Sequence, residues 1–183
     1  MKIHDTPLPG LRLIEPTVRS DQRGRFERAY CEQAMASLSP RLHVAQANLS
    51  TTLGLGSLRG LHFQSAPALE AKLVRCLRGK VFDVAVDLRA GSPTFLKWHA
   101  VELCEDQPLA LFIPEGFAHG FQVISDEAQL LYFHTAPWSA ACEGGLRHDD
   151  PALAIRWPLP VGAISDRDLH HPLLDAGFAG IPT

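Results

Sequence analysis

Short apolar runs separated by turn-forming residues recur along most of the chain. The clearest case is KLVRCLRGKVFDVAVDLR (residues 72–89), in which two apolar runs flank Arg78-Gly79. This arrangement predicts a hairpin that turns at Arg78-Gly79. Because side chains alternate along a strand, the second run has two faces, one with Phe82, Val84, Val86 and Leu88 and the other with Val81, Asp83, Ala85 and Asp87.

The same pattern continues on both sides of this segment. Residues 116–125 and 129–135 read as two strands with a turn at 126–128, and further strands are predicted over 97–103 and 109–114. Strands that recur every 8–12 residues or so are typical of an all-β sandwich or barrel. The only good helix candidate in the first half is Tyr30–Leu38, which is expected to end before Pro40. The proline-rich stretch from Asp149 onward is predicted to wrap over the barrel irregularly.

Composition narrows the class of protein. The chain has 183 residues, which favours one domain over 1–183, and its 14 Gly and 14 Pro suit many short strands. With 46% hydrophobic and 20% charged residues, neither disorder nor a membrane protein is indicated. The formal net charge of -3 offers no basic surplus for a nucleic-acid partner. The first residues lack a signal-peptide pattern, so we expect a cytoplasmic location.

The cysteines support the same expectation. None of the four lies near another at a CxxC-type spacing, so neither a zinc site nor a redox pair is predicted. We expect reduced, buried thiols, as is usual in the cytoplasm. The four residues are Cys31, Cys76, Cys104 and Cys142.

Polar and ionisable residues interrupt several of the apolar strands. Such residues on an inward face usually line a ligand cavity, because an unpaired polar group in a packed core is costly. Alternation over residues 59–64 puts Arg59 on the face opposite His62 and Gln64. The cavity candidates are Arg59, His62, Gln64, Lys72, His119 and Tyr132. The other seven histidines are expected at the surface or in packing roles: His4, His43, His99, His134, His148, His170 and His171.

Two motifs resemble those of the cupin family. The first comprises Gly56, His62, Gln64, Glu70 and Gly79, and the second Pro114, Gly116 and His119. A metal-binding cupin would use His62, Gln64, Glu70 and His119. Gln64 is a poor replacement for an imidazole ligand, so no metal is expected.

Longer blocks resemble one branch of the cupins, the dTDP-4-dehydrorhamnose 3,5-epimerase family. They are RGLHFQ, KLVRCLRGKVFDVAVDLRAGSPTF, IPEGFAHGF, LLYFHT, DDP and ISDRD, in family order from about Thr6 to Leu174. The resemblance implies an all-β, cupin-type jelly-roll barrel with short helices near the termini. It also implies an isomerase without cofactor that inverts C3 and C5 of a dTDP-linked 4-keto-6-deoxy sugar.

The resemblance assigns roles to four residues for proton transfer. His62 matches the base, which suits an imidazole because its ordinary pKa of about 6.5 lies near working pH. Asp168 matches the carboxylate that pairs with the base. Lys72 matches the stabiliser of the enolate, and Tyr132 matches the acid that donates from the opposite face.

The resemblance also implies a substrate-binding set and a homodimer. Arg23 and Arg59 match pyrophosphate contacts, Phe26 and Trp138 the aromatic residues that sandwich the base, and His119 a second histidine of the sugar pocket. Exchange of N-terminal strands would place Phe26, and with it Arg23, in the partner's site. Gln46 and Asn48 match the lining of the site, and Glu143 a nucleoside contact.

Alternatives remain open at this point. The family usually has tyrosine where this chain has Trp138, which leaves a C3-only or C5-only epimerase open. A 3,4-ketoisomerase uses the same scaffold and histidine-based proton transfer. A non-catalytic sugar-nucleotide-binding cupin and a metal-dependent dioxygenase are the rivals from other classes.

Overall fold

The computed structural model describes residues 1–38 and 43–183, and this part of the chain is built mainly of antiparallel strands. The strands are β1 (Lys2–Asp5), β2 (Arg12–Glu15), β3 (Val18–Asp21), β4 (Gly24–Glu27), β5 (Gln46–Leu53), β6 (Leu58–Gln64), β7 (Lys72–Asp87), β8 (Trp98–Cys104), β9 (Ala110–Ile113), β10 (Phe117–His134) and β11 (Glu143–Gly145). The helices are α1 (Glu32–Met35) and α2 (Asp166–Leu169). Helix α1 is shorter than predicted, and Pro40, its expected limit, lies outside the described residues.

Two long strands replace the two hairpins that the sequence predicted. β7 runs through Arg78-Gly79 over 16 residues, and β10 runs through residues 126–128 over 18 residues. The two strands pair with each other along their whole length, with register shifts near Gly79. A Cβ at Gly79, whose φ is +71°, would meet the Glu127 carbonyl oxygen at 1.9 Å. Glycine therefore lets the paired strands bend without ending, and the prediction of turns was wrong.

The bends divide the sheet into two halves that face each other. The first half of β7 pairs with β9, and its second half pairs with β8. β10 pairs with β6 in its first half and β5 in its second. Each long strand therefore passes from one half to the other, which closes the expected cupin-type barrel.

Three apolar clusters hold the barrel together. The inner cluster joins side chains from both halves, among them Val74, Val81 and Phe121. Helix α1 contributes Met35 to a cluster on the outside of β7 and β9. The irregular C-terminal segment contributes Leu153 and other residues to the third cluster, as the sequence predicted.

The alternation predicted for the second half of β7 is confirmed. Val84, Val86 and Leu88 join the C-terminal cluster, whereas Val81 and Ala85 belong to the inner one. Asp83 and Asp87 are completely buried. Burial opposes ionisation of Asp87, but hydrogen bonds from Arg89, Ser92 and Thr94 hold the pKa of Asp87 at about 2.

The hairpin formed by β3 and β4 stands apart from the main sheet. Its turn follows Asp21, and an ion pair between Glu27 and buried Arg75 ties its end to β7. The Phe26 side chain is 74% exposed on this hairpin. A large aromatic side chain in that position is available for contact with another molecule.

Two further observations concern the chain as a whole. All four cysteines are free, but only Cys76 is buried, so the expectation of burial was wrong for Cys31, Cys104 and Cys142. No helix in the described ranges is long and apolar enough to cross a membrane.

Candidate active site

A cavity of about 530 Å³ opens between the strands of the barrel. Polar side chains from β5, β6, β7, β10 and β11 converge on it. Those predicted from the sequence are Asn48, Arg59, His62, Gln64, Lys72, His119, Tyr132, Trp138 and Glu143. Asp168 and Gln46 adjoin the cavity through their contacts with His62 and Trp138.

His62 and Asp168 form a hydrogen-bonded pair at one wall of the cavity. The Asp168 Oδ1 atom lies 2.8 Å from His62 Nε2, and the other oxygen accepts the Gly60 N–H at 3.0 Å. Although burial opposes ionisation, these hydrogen bonds hold the pKa of Asp168 at about 2. Both Asp168 Oδ1 and Arg167 Nη2 approach His62 Nε2, at 2.8 and 3.0 Å. An ionised carboxylate only accepts hydrogen bonds and its contact is the shorter one, so we assign the hydrogen to Nε2. The lone pair is therefore on Nδ1, which can take up a proton.

Strand β6 is irregular at the point where it carries this pair. Alternation predicted Arg59 and His62 on opposite faces, but both line the same cavity. The register between β6 and β10 shifts between His119 and Phe121. This shift interrupts the regular alternation of side chains between the two faces of β6. A Cβ at Gly60 would meet Gly120 Cα at 2.6 Å, so glycine is required for this close approach. The prediction of opposite faces was wrong because of this irregularity.

Lys72 begins β7, as predicted, and its ammonium group is fixed by two contacts. Nζ donates to the His62 carbonyl oxygen at 3.3 Å and lies 3.2 Å from Glu70 Oε1. The second Glu70 oxygen lies 2.7 Å from His134 Nδ1. His134 lines the cavity, so its expected role at the surface or in packing was wrong.

Tyr132 lies between two histidine rings in the second half of β10. Its ring meets the His119 ring edge-on at 5.8 Å and stacks on the His134 ring at 5.8 Å. His119 Nε2 is 3.0 Å from both oxygens of buried Asp83. Burial and the charge of Asp83 raise the pKa of Tyr132 well above its ordinary value. The phenol is therefore protonated at neutral pH and can donate.

The mouth of the cavity carries the residues expected at the nucleotide. The Arg59 guanidinium donates to Thr52 Oγ1 at 2.8 Å, which directs it along β5. The Gln46 side chain accepts the Trp138 backbone N–H at 3.1 Å and so fixes the segment that carries this indole. Glu143 Oε2 lies 2.9 Å from Arg167 Nη1.

Arg23 and Phe26 lie outside this cavity. Both are on the β3–β4 hairpin, where the Arg23 guanidinium pairs with Asp21 at 2.6 Å. In the single chain neither residue lines the cavity, so their contact with a partner's site stays a prediction.

The donors of the alternative metal site are committed to other groups. Gln64 is buried, and its amide bonds the Ala68 and Pro137 carbonyls and the Ser139 N–H. Glu70 and His119 pair with other side chains, as described above. This donor set does not fit a cupin metal centre.

A second histidine adjoins the pair of His62 and Asp168. The donor atoms of these two residues and His171 lie within 4.8 Å of one another. The Arg167 guanidinium, however, lies 3.0 Å from His62 Nε2. Its positive charge disfavours a cation at this point, so this set does not fit a metal either.

Sequence reasoning missed several residues that shape the site. They are Asp83, His134, Arg167 and His171. Glu70 was named only as a candidate metal ligand, and its contact with Lys72 was not predicted. For Asp83 a signal was present, because a carboxylate on the inner face of an apolar strand needs a partner. For the others the contacts arise between segments far apart in the chain, and nothing in their local sequence marks them.

Comparison with known proteins identifies the family. Residues 5–176 match the family model described as dTDP-4-dehydrorhamnose 3,5-epimerase. A relative of that name from Sinorhizobium fredii is 41% identical over 90% of this chain and 85% of its own. A dTDP-4-dehydrorhamnose 3-epimerase from Streptomyces niveus is 42% identical over 100% of this chain and 89% of its own.

A solved structure is similar over the whole fold. The dTDP-6-deoxy-D-glucose-3,5-epimerase of Legionella pneumophila, in complex with dTDP-4-keto-L-rhamnose, has a TM-score of 0.91. It is 38% identical, with 99% of this chain and 97% of the other covered. The chain therefore belongs to the dTDP-4-dehydrorhamnose 3,5-epimerase family.

Proposed function

We propose that the protein converts dTDP-4-dehydro-6-deoxy-D-glucose into dTDP-4-dehydro-L-rhamnose by epimerisation at C3 and C5. Family membership supports the reaction class. The observation that carries the assignment is the His62–Asp168 pair in one cavity with Lys72 and Tyr132. These groups supply a base, an oxyanion stabiliser and an acid.

The reaction begins with loss of a proton next to the ketone. C3 and C5 both flank the C4 carbonyl, so their protons are the acidic ones. His62 Nδ1 takes the proton, and Asp168 stabilises the imidazolium that forms, as an aspartate does in hydrolase triads. The electron pair of the broken C–H bond moves into the enolate, whose charge lies on the C4 oxygen.

The remaining steps use Lys72 and Tyr132. The Lys72 ammonium stabilises the enolate oxygen, and such a charge is worth more in a closed cavity than in water. Tyr132 then donates its proton to the opposite face of the carbon, which inverts the configuration. The phenolate regains a proton from solvent and the His62 imidazolium releases its proton to solvent, so the cycle balances without a redox change.

The number of carbons inverted is the point to test first. Reaction in deuterium oxide followed by NMR of the product should give deuterium at both C3 and C5. The relative from Streptomyces niveus, named a 3-epimerase, makes C3-only inversion the second candidate. Deuterium at one carbon alone would establish that candidate and reject double inversion.

The nucleotide is proposed to bind at the mouth of the cavity. Arg59 is placed to hold the pyrophosphate, since guanidinium suits bidentate phosphate contacts, and Trp138 to stack on the base. Asn48 and Gln46 line this end, Glu143 contacts the nucleoside, and His119 faces the sugar. A thermal-shift series with dTDP, UDP, GDP and CDP sugars tests the choice of base, and dTDP sugars should stabilise the protein most.

A homodimer is proposed to complete the site. The β3–β4 hairpin exposes Phe26 and Arg23, and edge strand β5 exposes Leu49 and Leu53 by 63% and 68%. Apolar exposure on this scale is typical of an interface. In the dimer, Arg23 and Phe26 of each chain reach the cavity of the other.

Complementation tests this sharing of sites. Neither the His62→Ala protein nor the Arg23→Ala/Phe26→Ala protein should be active alone. Co-expression of the two should restore activity, because one of the two sites in a mixed dimer is then intact. A monomer by light scattering, or mixtures as inactive as their components, would reject the shared site.

The proposed setting is the cytoplasm, with residues 1–183 acting as one domain. Four free cysteines suit a reducing compartment. The N-terminal strands and the C-terminal segment both pack on the same barrel. Limited proteolysis that released a stable fragment would argue against a single domain.

A further inference from the structure

Glu70, Lys72 and His134 form one contact group on the wall of the cavity. The Glu70 carboxylate divides its oxygens between the other two, with Oε1 at 3.2 Å from Lys72 Nζ and Oε2 at 2.7 Å from His134 Nδ1. The side chains of Lys72 and Glu70 are 9% and 8% exposed, and that of His134 is 13% exposed. Buried charges are tolerated when they are paired, so the group holds together as a unit.

His134 is held from three directions. Its Nδ1 donates to Glu70, its Nε2 lies 3.4 Å from Asn48 Nδ2, and its ring stacks on Tyr132. Held in this way, the imidazole keeps the Glu70 carboxylate from rotating.

Lys72 is oriented in turn by Glu70. An ammonium group has three N–H donors, and the His62 carbonyl and Glu70 take up two of its directions. The remaining direction is available to a substrate in the cavity. Without Glu70, the flexible lysine stem would leave the head group free to turn.

The charge of Glu70 acts on the same lysine. Although burial opposes its ionisation, the hydrogen bond from His134 and the charge of Lys72 bring the pKa of Glu70 below its ordinary value. The carboxylate is therefore ionised at neutral pH. An ionised carboxylate therefore holds the Lys72 ammonium by charge as well as by hydrogen-bond geometry.

We propose that Glu70 and His134 are positioning residues that aim the Lys72 ammonium, the enolate stabiliser of the reaction proposed above. His134 fixes Glu70, and Glu70 fixes Lys72. Neither residue needs to touch the substrate for this role.

Kinetics of Glu70 variants test the second link. Glu70→Ala should lower kcat by roughly 10–100-fold with KM little changed, since a transition-state interaction is lost. Glu70→Gln keeps one acceptor oxygen for Lys72, but its amide nitrogen cannot accept from His134 Nδ1. It should therefore regain only part of the lost kcat. Unchanged kcat in Glu70→Ala would overturn the proposal.

Kinetics of His134 variants test the first link. Asn can place a donor where Nδ1 lies, so His134→Asn should stay within about threefold of wild-type kcat. His134→Phe keeps a ring against Tyr132 but cannot donate, and it should lose kcat as Glu70→Ala does. The double variant Glu70→Ala/His134→Phe should have a kcat no lower than that of Glu70→Ala, since the effects of residues that act as a unit do not add. A rise in KM at constant kcat in His134→Phe would show direct substrate contact instead.

Two control variants distinguish failure of this proposal from failure of the proposed function on which it rests. Glu102→Gln removes a carboxylate from the surface ion pair with Lys80, and His4→Gln removes a surface histidine. Both variants should have the kcat and KM of wild type. Thermal melting and dTDP affinity check that each variant is folded. Failure of wild type to turn over the sugar rejects the proposed function, whereas a fully active Glu70→Ala rejects only this inference.

Discussion

The Nε2 atom of His62 lies 2.8 Å from Asp168 Oδ1, although the two residues are 106 positions apart in the chain. Helix α2 brings the carboxylate to the barrel, and the Ser165 hydroxyl accepts the Asp168 N–H at its start. The orientation of His62, the proposed base, therefore depends on a helix of four residues near the C-terminus.

Asp168→Asn should lower kcat by at least about 100-fold, because an amide no longer selects the reactive tautomer of His62. The measurement is the rate of dTDP-L-sugar formation at saturating substrate. Affinity for dTDP should stay near wild type, since Asp168 does not lie at the nucleotide end. Full activity in this variant would remove the pair from the mechanism.

Tyr132→Phe should separate proton removal from inversion. His62 can still exchange the substrate protons with solvent, but the opposite face lacks its donor. We expect net epimerisation to fall by about 100-fold or more, while deuterium still enters with retained configuration. NMR in deuterium oxide measures both, and inversion at the wild-type rate would exclude Tyr132 as the acid.

Trp138→Ala should weaken dTDP binding, because stacking of an aromatic side chain on a base contributes about 1–3 kcal/mol. Calorimetry should show the loss in Kd, and Trp138→Tyr should recover most of it. The matched change at Phe82, which packs against Trp157 away from the cavity, should leave affinity alone. Equal affinity in Trp138→Ala and wild type would place the base elsewhere.

Gly60→Ala should destabilise the fold by about 2–4 kcal/mol, since overpacking and a left-handed φ combine there. The new Cβ would meet the His119 carbonyl oxygen at 2.7 Å, and φ is +108°. Denaturant unfolding measures the loss of unfolding free energy. Gly177→Ala is the control, because its nearest neighbour is an Asp175 oxygen at 3.4 Å, and it should be close to neutral.

Asp87→Asn should lower the unfolding free energy by about 2–4 kcal/mol near neutral pH, because a buried charge partner of Arg89 is lost. The pKa of Asp87 is about 2 in the folded state and about 3.9 in an unfolded chain. A carboxyl group whose pKa is lower in the folded state than in the unfolded chain stabilises the fold fully when the pH is above its unfolded pKa. This stabilisation decreases as the pH falls toward the folded pKa. The gap between variant and wild type should therefore narrow from about pH 4 to pH 2, and a constant gap would contradict this.

Local patterns in the sequence predicted much of the fold. Alternation in the second half of β7 assigned both faces correctly, since strand periodicity holds wherever pairing is regular. It failed at Gly60 and Gly79, where glycine permits a bulge or a bend. A glycine between two apolar runs is compatible with a turn or with a continuous strand, and only the partner strand decides between them.

The sequence by itself determined the all-β class and the family, and it named the residues of the proposed proton transfer. Motifs within continuous segments carried these, because His62, Lys72 and Tyr132 lie in distinctive blocks. The tertiary structure alone decided which groups share a cavity and which partner each has. Contacts such as that between Glu70 and His134 join segments 64 positions apart. Their short distances follow from strand register and sheet closure, which local sequence does not encode.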